Sequence, residues 1–351
     1  MSLEKILIFS DLHIFPHKKS YKRLQDALDV LEWILKTAIE KDIKNIICCG
    51  DLFHHRQQID IITYQKTFEI FEKYKDLNVY LLLGNHDLWG YEKLDISSVI
   101  PLSGLKNITV IKEPCSYSID GFEFGFLPYT HNPIEDLKKI KLQNDFKILF
   151  GHIAVNGAVL NKLAGTIAEV SIEHDGEMTK VDAEIFSKYN QVFLGHYHAE
   201  QKLNDYVEYV GSPLELNFGE AFQQKHIIVY NLKTKEKEYI VNNFSPKHLI
   251  INKDNINNYD LQDNFVKLVV DNTNDPELIE VKKFMEEKGT ASIDLLAIPK
   301  KQNEQQAIID AKDIIKSKEN MLISYIKSVI KDHNLCEDKL LKIGEKICQN
   351  N

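Results

Sequence analysis

Five times before residue 200 an apolar run ends in Gly or Ser and passes at once into Asp, Asn or His: FSDLH at 9–13, CCGDLFHH at 48–55, LLGNHD at 82–87, LFGHI at 149–153 and LGHYH at 194–198. Apolar runs of this length suit buried strands, and the small residue lets the chain turn sharply where the strand ends. In an α/β sheet the carboxyl ends of the strands share one edge, where binding groups collect. The repetition therefore constrains the fold: separate strands must aim their last side chains at one place. Within LGHYH, alternate residues of an extended chain share a face, so His196 and His198 are expected to point the same way.

The segments between these runs complete the pattern. After the strand KILIFSD, Leu24, Leu28, Leu31, Leu35 and Ile39 recur at helical spacing, and Ile61, Tyr64, Phe68 and Phe71 do so between NIICCGD and VYLLLGNHD. The order β-α-β-α-β implies right-handed crossovers and a largely parallel sheet covered by helices. Asp120-Gly121 predicts a hairpin turn, and VEYVG, KHIIVYNL and KEYIVN predict a later antiparallel set. Near residue 246 the chain turns polar and Asn-rich. Beyond it, FVKLVVD, a helix opening after Asn274-Asp275-Pro276, and ASIDLLAIP predict a small β-α-β unit. From 303 the chain reads as helical, with Leu322, Tyr325, Ile326, Val329 and Ile330 on one stripe. The expected domains are 1–245, 246–302 and 303–351.

Composition excludes several classes. With 44% hydrophobic and 27% charged residues the chain is ordinary for a globular enzyme, and no apolar stretch reaches the length of a membrane span. The N-terminal apolar run is too short for a signal peptide, so a cytoplasmic protein with no membrane partner is expected, in host cytoplasm if phage-encoded. The adjacent Cys48 and Cys49 lie among isoleucines and read as small buried apolar residues. A formal net charge of −9 disfavours a broad basic surface, so a polyanionic substrate needs local positive charge. Bound metal would supply it.

Any one of these motifs alone is weak: Asp-x-His or Gly-His is close to noise, and Asn-His-Asp can be a turn or a helix cap. The ordered set is specific. Asp11, His13, Asp51, Asn85, His152, His196 and His198 offer carboxylates, an amide and imidazoles, a set that suits two octahedral-leaning divalent ions of Mn, Fe or Zn type. Asp51 is the natural bridge. Two such cations against two aspartates leave about +2, or about +1 with a bridging hydroxide, which a phosphodiester matches closely.

The ordered set resembles the calcineurin-like metallophosphoesterase superfamily over residues 5–230, and within it the SbcD-type nucleases of double-strand-break repair. GDLFH, GNHD ending in Asp87, and GSPLELNFGE at 211–220 carry that finer resemblance. It implies a four-layer α/β/β/α core with a small α/β capping domain and a C-terminal helical tail. It also implies that Asp11, His13, Asp51 and His198 hold one metal, and Asp51, Asn85, His152 and His196 the other. Manganese is the usual activator, with magnesium, iron or zinc as alternatives. His86 would stabilise the transition state or protonate the leaving oxygen, His54 would orient the phosphodiester, and Asp87 would support the ligands from behind. The residues after His13, Ile14-Phe15-Pro16-His17, depart from the Leu-Gly pair of many relatives.

The implied activity is metal-dependent DNA exonuclease or endonuclease cleavage in recombination, repair or end processing. The implied partners are DNA, a second copy of the chain, and an SbcC-type SMC-like ATPase bound through the C-terminal helices. Two alternatives stand beside it: a cyclic-nucleotide or small-molecule phosphodiesterase of the same superfamily, and a non-catalytic scaffold.

Overall fold

The computed structural model describes residues 3–17, 20–90, 95–161, 166–174, 177–273 and 275–298. Contacts divide the chain into one unit, Met1–Leu160 with Ile167–Lys300, and a second, Asn161–Thr166 with Lys301–Asn351, of which only Asn161 and Thr166 are described. The helical tail expected over 303–351 lies outside the described residues.

The apolar runs of the N-terminal half form β1 (Lys5–Phe9), β2 (Asn45–Cys48), β3 (Asn78–Leu82) and β4 (Ile108–Ile111), all parallel. Two helices make the crossovers, α1 (Tyr21–Glu40) and α2 (Ile61–Lys73). Ser20 caps α1 by accepting from the Arg23 N–H. The hairpin of β5 (Cys115–Ile119) and β6 (Phe122–Leu127) turns on Asp120 and Gly121 at φ 48° and 84°, the left-handed pair that a tight two-residue turn demands. Then come α3 (Pro133–Lys139), β7 (Ile148–His152), β8 (Val159–Asn161), β9 (Thr166–Ile167), β10 (Ser171–His174), β11 (Glu177–Lys180), β12 (Gln191–Gly195), β13 (Gln201–Lys202) and β14 (Val207–Tyr209). Next, β15 (His226–Asn231) and β16 (Lys237–Val241) return antiparallel to the first sheet beside β1.

Two six-stranded sheets result, ordered β16-β15-β1-β2-β3-β4 and β13-β14-β12-β7-β6-β5. Strand alternation sorts β1: Ile6 and Ile8 face the second sheet, while Leu7 and Phe9 pack with α1 residues Leu24, Leu28, Leu31 and Leu35. Between the sheets Phe124, Phe126, Phe150 and Phe193 are fully buried, with Phe150 5.5–5.6 Å from the other three ring centroids. The outer face of the second sheet is covered by α3 and by the 183–189 segment, through Phe186 and Tyr189. This is the α/β/β/α sandwich.

Some local expectations fail for identifiable reasons. Ile39 and Ile61 sit at helix ends, where the core has already fallen away, and are 57% and 85% exposed. VEYVG does not join KHIIVYNL and KEYIVN; β14 lies in the other sheet, antiparallel to β13 and parallel to β12. Composition also concealed β17 (His248–Asn252), which joins β18 (Phe265–Val270) and β19 (Ser292–Ala297) in a separate parallel sheet covered by α4 (Glu277–Glu287). This sheet meets the core through Arg23, whose guanidinium lies 4.0 Å above the Phe265 ring, and through Glu215, which accepts from the His248 N–H.

Candidate metal centre

Every one of the seven expected ligands lies at or just beyond a strand end, and the backbone there is bent to bring them together. Nine non-glycine residues among those described have positive φ, and four of them are expected ligands: Asp11 at 52°, His13 at 49°, Asp51 at 53° and His196 at 104°. Each such residue costs about 1–3 kcal/mol, strain that the surrounding contacts must hold. The expectation of strand alternation for His196 and His198 is corrected here. β12 ends at Gly195, and the turn at His196 sends the two rings to different partners.

One group gathers on His13. Its Nε2 lies 3.0 Å from His198 Nε2, 3.6 Å from Asp51 Oδ2 and 4.0 Å from Asp11 Oδ1. The other gathers on Asn85, whose Oδ1 lies 3.0 Å from His152 Nε2 and 2.8 Å from His196 Nδ1. Asp51 Oδ2 joins the halves, because it is also 3.3 Å from His152 Nε2. Asp11 in turn accepts the His196 N–H through both oxygens, at 3.1 and 3.0 Å.

Hydrogen bonds on the far side of each ring decide which nitrogen faces the cage. His152 Nδ1 donates to the Cys49 carbonyl at 2.7 Å, and His198 Nδ1 donates to Glu220 Oε1 at 2.9 Å. Both Nε2 atoms are thereby aimed at other acceptors, Asn85 Oδ1 and His13 Nε2 respectively. Lone pairs facing lone pairs at 3.0 Å are the arrangement a cation resolves, so the donor set fits divalent metal. Without metal a proton takes that place: burial opposes charge on His152, but the Asp51 carboxylate outweighs it and pushes the imidazole up to about 9. Burial raises Asp11 and, helped by His198, holds His13 well below the usual histidine range against the pull of Asp51.

Asp87 does not enter the cage. Its carboxylate accepts the N–H groups of Asp51 at 2.9 Å, Gly84 at 3.0 Å and Phe53 at 3.1 Å, and so pins the turn that carries Asp51. Burial, reinforced by Asp51, pushes Asp87 up to about 7. His86 donates from Nδ1 to the His54 carbonyl at 2.7 Å while its own N–H donates to Asp51 Oδ1 at 2.8 Å. That leaves His86 Nε2 as the exchangeable nitrogen beside the cage. His54 Nδ1 lies 3.2 Å from His13 Nδ1, and burial with the neighbouring His86 lowers His54 to about 3.

Sequence reasoning missed Glu220. It is buried, and besides His198 it meets Lys225 Nζ at 2.6 Å, Ser212 Oγ at 3.1 Å and the Leu216 N–H at 3.3 Å. Burial raises its carboxyl, yet Lys225 and His198 outweigh this and hold it below the usual carboxylate range. The signal was present in GSPLELNFGE, whose last residue it is. Close approach explains two glycines: a Cβ on Gly84 would stand 2.1 Å from Asp51 Oδ1, and one on Gly195 2.1 Å from Ser10 Oγ.

Comparison with known proteins adds sequence and structural likenesses. Exonuclease subunit 1 of Enterobacteria phage T4 is 27% identical over 229 residues, which are 60% of this chain and 63% of that protein. The SbcD component of nuclease SbcCD from Staphylococcus saprophyticus is 23% identical over 247 residues, 67% of this chain and 58% of that one. The uncharacterized protein R555 of Acanthamoeba polyphaga mimivirus is 26% identical over 253 residues, 68% of this chain and 18% of that protein. The match thus spans less than two thirds of each of these relatives. Among solved structures, Pseudomonas putida nuclease MPE aligns with 67% of this chain and 87% of its own at TM-score 0.31 and 16% identity. A Danio rerio dimetal phosphatase aligns with 69% and 99% at TM-score 0.37 and 10% identity. Residues 4–200, more than half of the 351-residue chain, match the calcineurin-like phosphoesterase family. With that match over the segment that carries the cage, this chain belongs to the calcineurin-like phosphoesterases, a family of dinuclear-metal hydrolases.

Proposed function

We propose that this protein is a manganese-dependent DNA nuclease subunit that hydrolyses phosphodiester bonds, acting in DNA recombination, repair or end processing with an SbcC-type SMC-like ATPase. The observation that carries the chemistry is the position of Asp51 Oδ2 between His152 at 3.3 Å and His13 at 3.6 Å, with separate ligand groups on either side. The likeness to the phage T4 exonuclease and to the SbcCD nuclease supports the nuclease reading over a small-molecule phosphodiesterase.

Two divalent cations held by Asp11, His13, Asp51 and His198 and by Asp51, Asn85, His152 and His196 would supply Lewis acidity and an activated water. The protein's own residues do the rest. Glu220 and the Cys49 carbonyl fix the rings of His198 and His152. His54 offers its outer nitrogen to a phosphate oxygen, because its Nδ1 is engaged with His13. His86, its Nδ1 committed to the His54 carbonyl, presents Nε2 to give a proton to the leaving oxygen.

The sheet of β17–β19 would contact the duplex, and residues 303–351 would dock on the ATPase through the Leu322–Ile330 stripe. A second copy of the chain would complete the assembly. Among the described residues no helix is long and apolar enough to cross a membrane. The test is a manganese-dependent assay on end-labelled linear and closed circular DNA, with and without the ATPase, beside His86→Ala. Metal-dependent cleavage of linear DNA supports the reading; hydrolysis of small diesters with no action on DNA in either condition contradicts it.

A further inference from the structure

The stretch from Leu214 to Glu220 touches three parts of the molecule. Leu214 and Leu216 are buried in the largest apolar cluster. Glu215 accepts the His248 N–H at the start of β17, and the Leu216 carbonyl accepts from Arg23 at 3.5 Å. The single turn Phe218–Glu220 then reaches two ways. The Phe218 ring stands edge-on to His248 at 4.9 Å, with Lys267 Nζ of β18 4.2 Å from its centroid, while Glu220 holds His198. His248 is itself stacked on Phe265 of β18 at 5.1 Å and 24°.

The core does not account for Phe218. It is half-buried and belongs to none of the four apolar clusters, and its ring meets the small sheet instead. A turn of three residues has too few hydrogen bonds to hold its own shape, so its side-chain contacts decide where it sits. The two oxygens of Glu220 depend on the turn unequally. Oε2 is fixed by Lys225, by Ser212 Oγ and by the Leu216 N–H. Oε1, which accepts from His198, also accepts from Asn217 Nδ2 at 3.3 Å, and Asn217 caps the same turn by accepting the Gly219 N–H at 2.7 Å. Displacing Phe218 therefore shifts its neighbour Asn217 and swings Oε1 about the pinned Oε2. The His198 ring then loses the partner that orients it.

We infer that Phe218 is a positioning residue for the metal centre: it carries the placement of the β17–β19 sheet through the 217–220 turn to Glu220 and so to His198, which makes the small sheet part of what holds one of the two cations. The inference rests on the reading of His198 as a metal ligand and adds the element that sets its orientation.

The probe is manganese alone, titrated calorimetrically into the full-length metal-free protein, with His198→Ala marking which of the two binding events belongs to that ring. Phe218→Leu and His248→Ala are each expected to weaken that same event about tenfold and to leave the other at its wild-type affinity. Phe218→Tyr, which keeps the ring, should bind as wild type does. The double variant Phe218→Leu/His248→Ala should be no weaker than either single variant, because both cut one path. Urea unfolding of the metal-free forms verifies that each variant folds. A merely structural role would weaken both events alike, or lower stability and leave both affinities unchanged; either result, or wild-type affinities in His248→Ala, overturns the inference. The two readings fail separately: if His198→Ala loses one event while Phe218→Leu keeps both, the inference alone falls, whereas if His198→Ala binds both cations as wild type does, the ligand reading falls and takes the inference with it.

Discussion

His198 Nδ1 donates to Glu220 Oε1 at 2.9 Å, and this contact ties an expected metal ligand to a buried ion pair, since Glu220 Oε2 meets Lys225 at 2.6 Å. Two functions follow from the one carboxylate. It orients the ring so that Nε2 faces His13, and it neutralises a buried lysine.

Glu220→Gln should therefore weaken metal binding by about 10–100-fold, the usual consequence of losing a partner behind a ligating histidine. Glu220→Ala should in addition lower stability by about 3–5 kcal/mol, because Lys225 is left charged and buried. Calorimetric metal titration and urea unfolding of the metal-free protein read the two effects apart.

His86 bonds Asp51 through its backbone N–H and the His54 carbonyl through Nδ1, with its ring edge-on to that of His13 at 4.8 Å. His86→Ala should leave metal stoichiometry at the wild-type value while turnover falls by about 10²–10⁴. Loss of metal in this variant would transfer His86 from proton donor to ligand.

The pH dependence of metal uptake follows from His152. Its folded value of about 9 lies above the ordinary 6.5, so the ring is protonated at neutral pH when no metal is bound. A cation needs the Nε2 lone pair and must displace that proton. Uptake near pH 7 should release about one proton per protein from this ring, and apparent affinity should climb about tenfold per pH unit before flattening above the folded value. The same raised value stabilises the metal-free fold below pH 6.5, a contribution lost as pH rises toward about 9. Titration calorimetry in buffers of different ionisation enthalpy counts the protons.

Gly84 has no room for a methyl group, which would stand 2.1 Å from Asp51 Oδ1 and 2.3 Å from its backbone nitrogen. Gly84→Ala should destabilise the fold by about 3 kcal/mol or more and weaken metal binding together, because the displaced atoms are the backbone and carboxylate of Asp51. Thermal melts with and without manganese test this.

The candidate cluster was legible because each expected ligand lies at or just beyond the end of a strand apolar enough to stand out, as in LLGNHD and LFGHI. What escaped notice depends on tertiary geometry. The left-handed turn at His196 redirects a ring that strand alternation would place beside His198, and no periodicity announces it. Glu220 acts through a contact 22 residues distant in sequence, made only when β12 and the 211–220 segment meet. β17 hid because His248–Asn252 runs directly into a polar, Asn-rich segment that dominates the local composition. The parallel pairing of β14 with β12 likewise depends on a partner that the local pattern of VEYVG cannot name.

The central claim is that seven side chains enclose a pair of cations with Asp51 between them. Anomalous diffraction at the manganese edge from crystals equilibrated with manganese measures this directly. Two peaks about 3.5–4 Å apart on either side of Asp51 Oδ2 are predicted. A single peak, or a cage without density at saturating manganese, contradicts it.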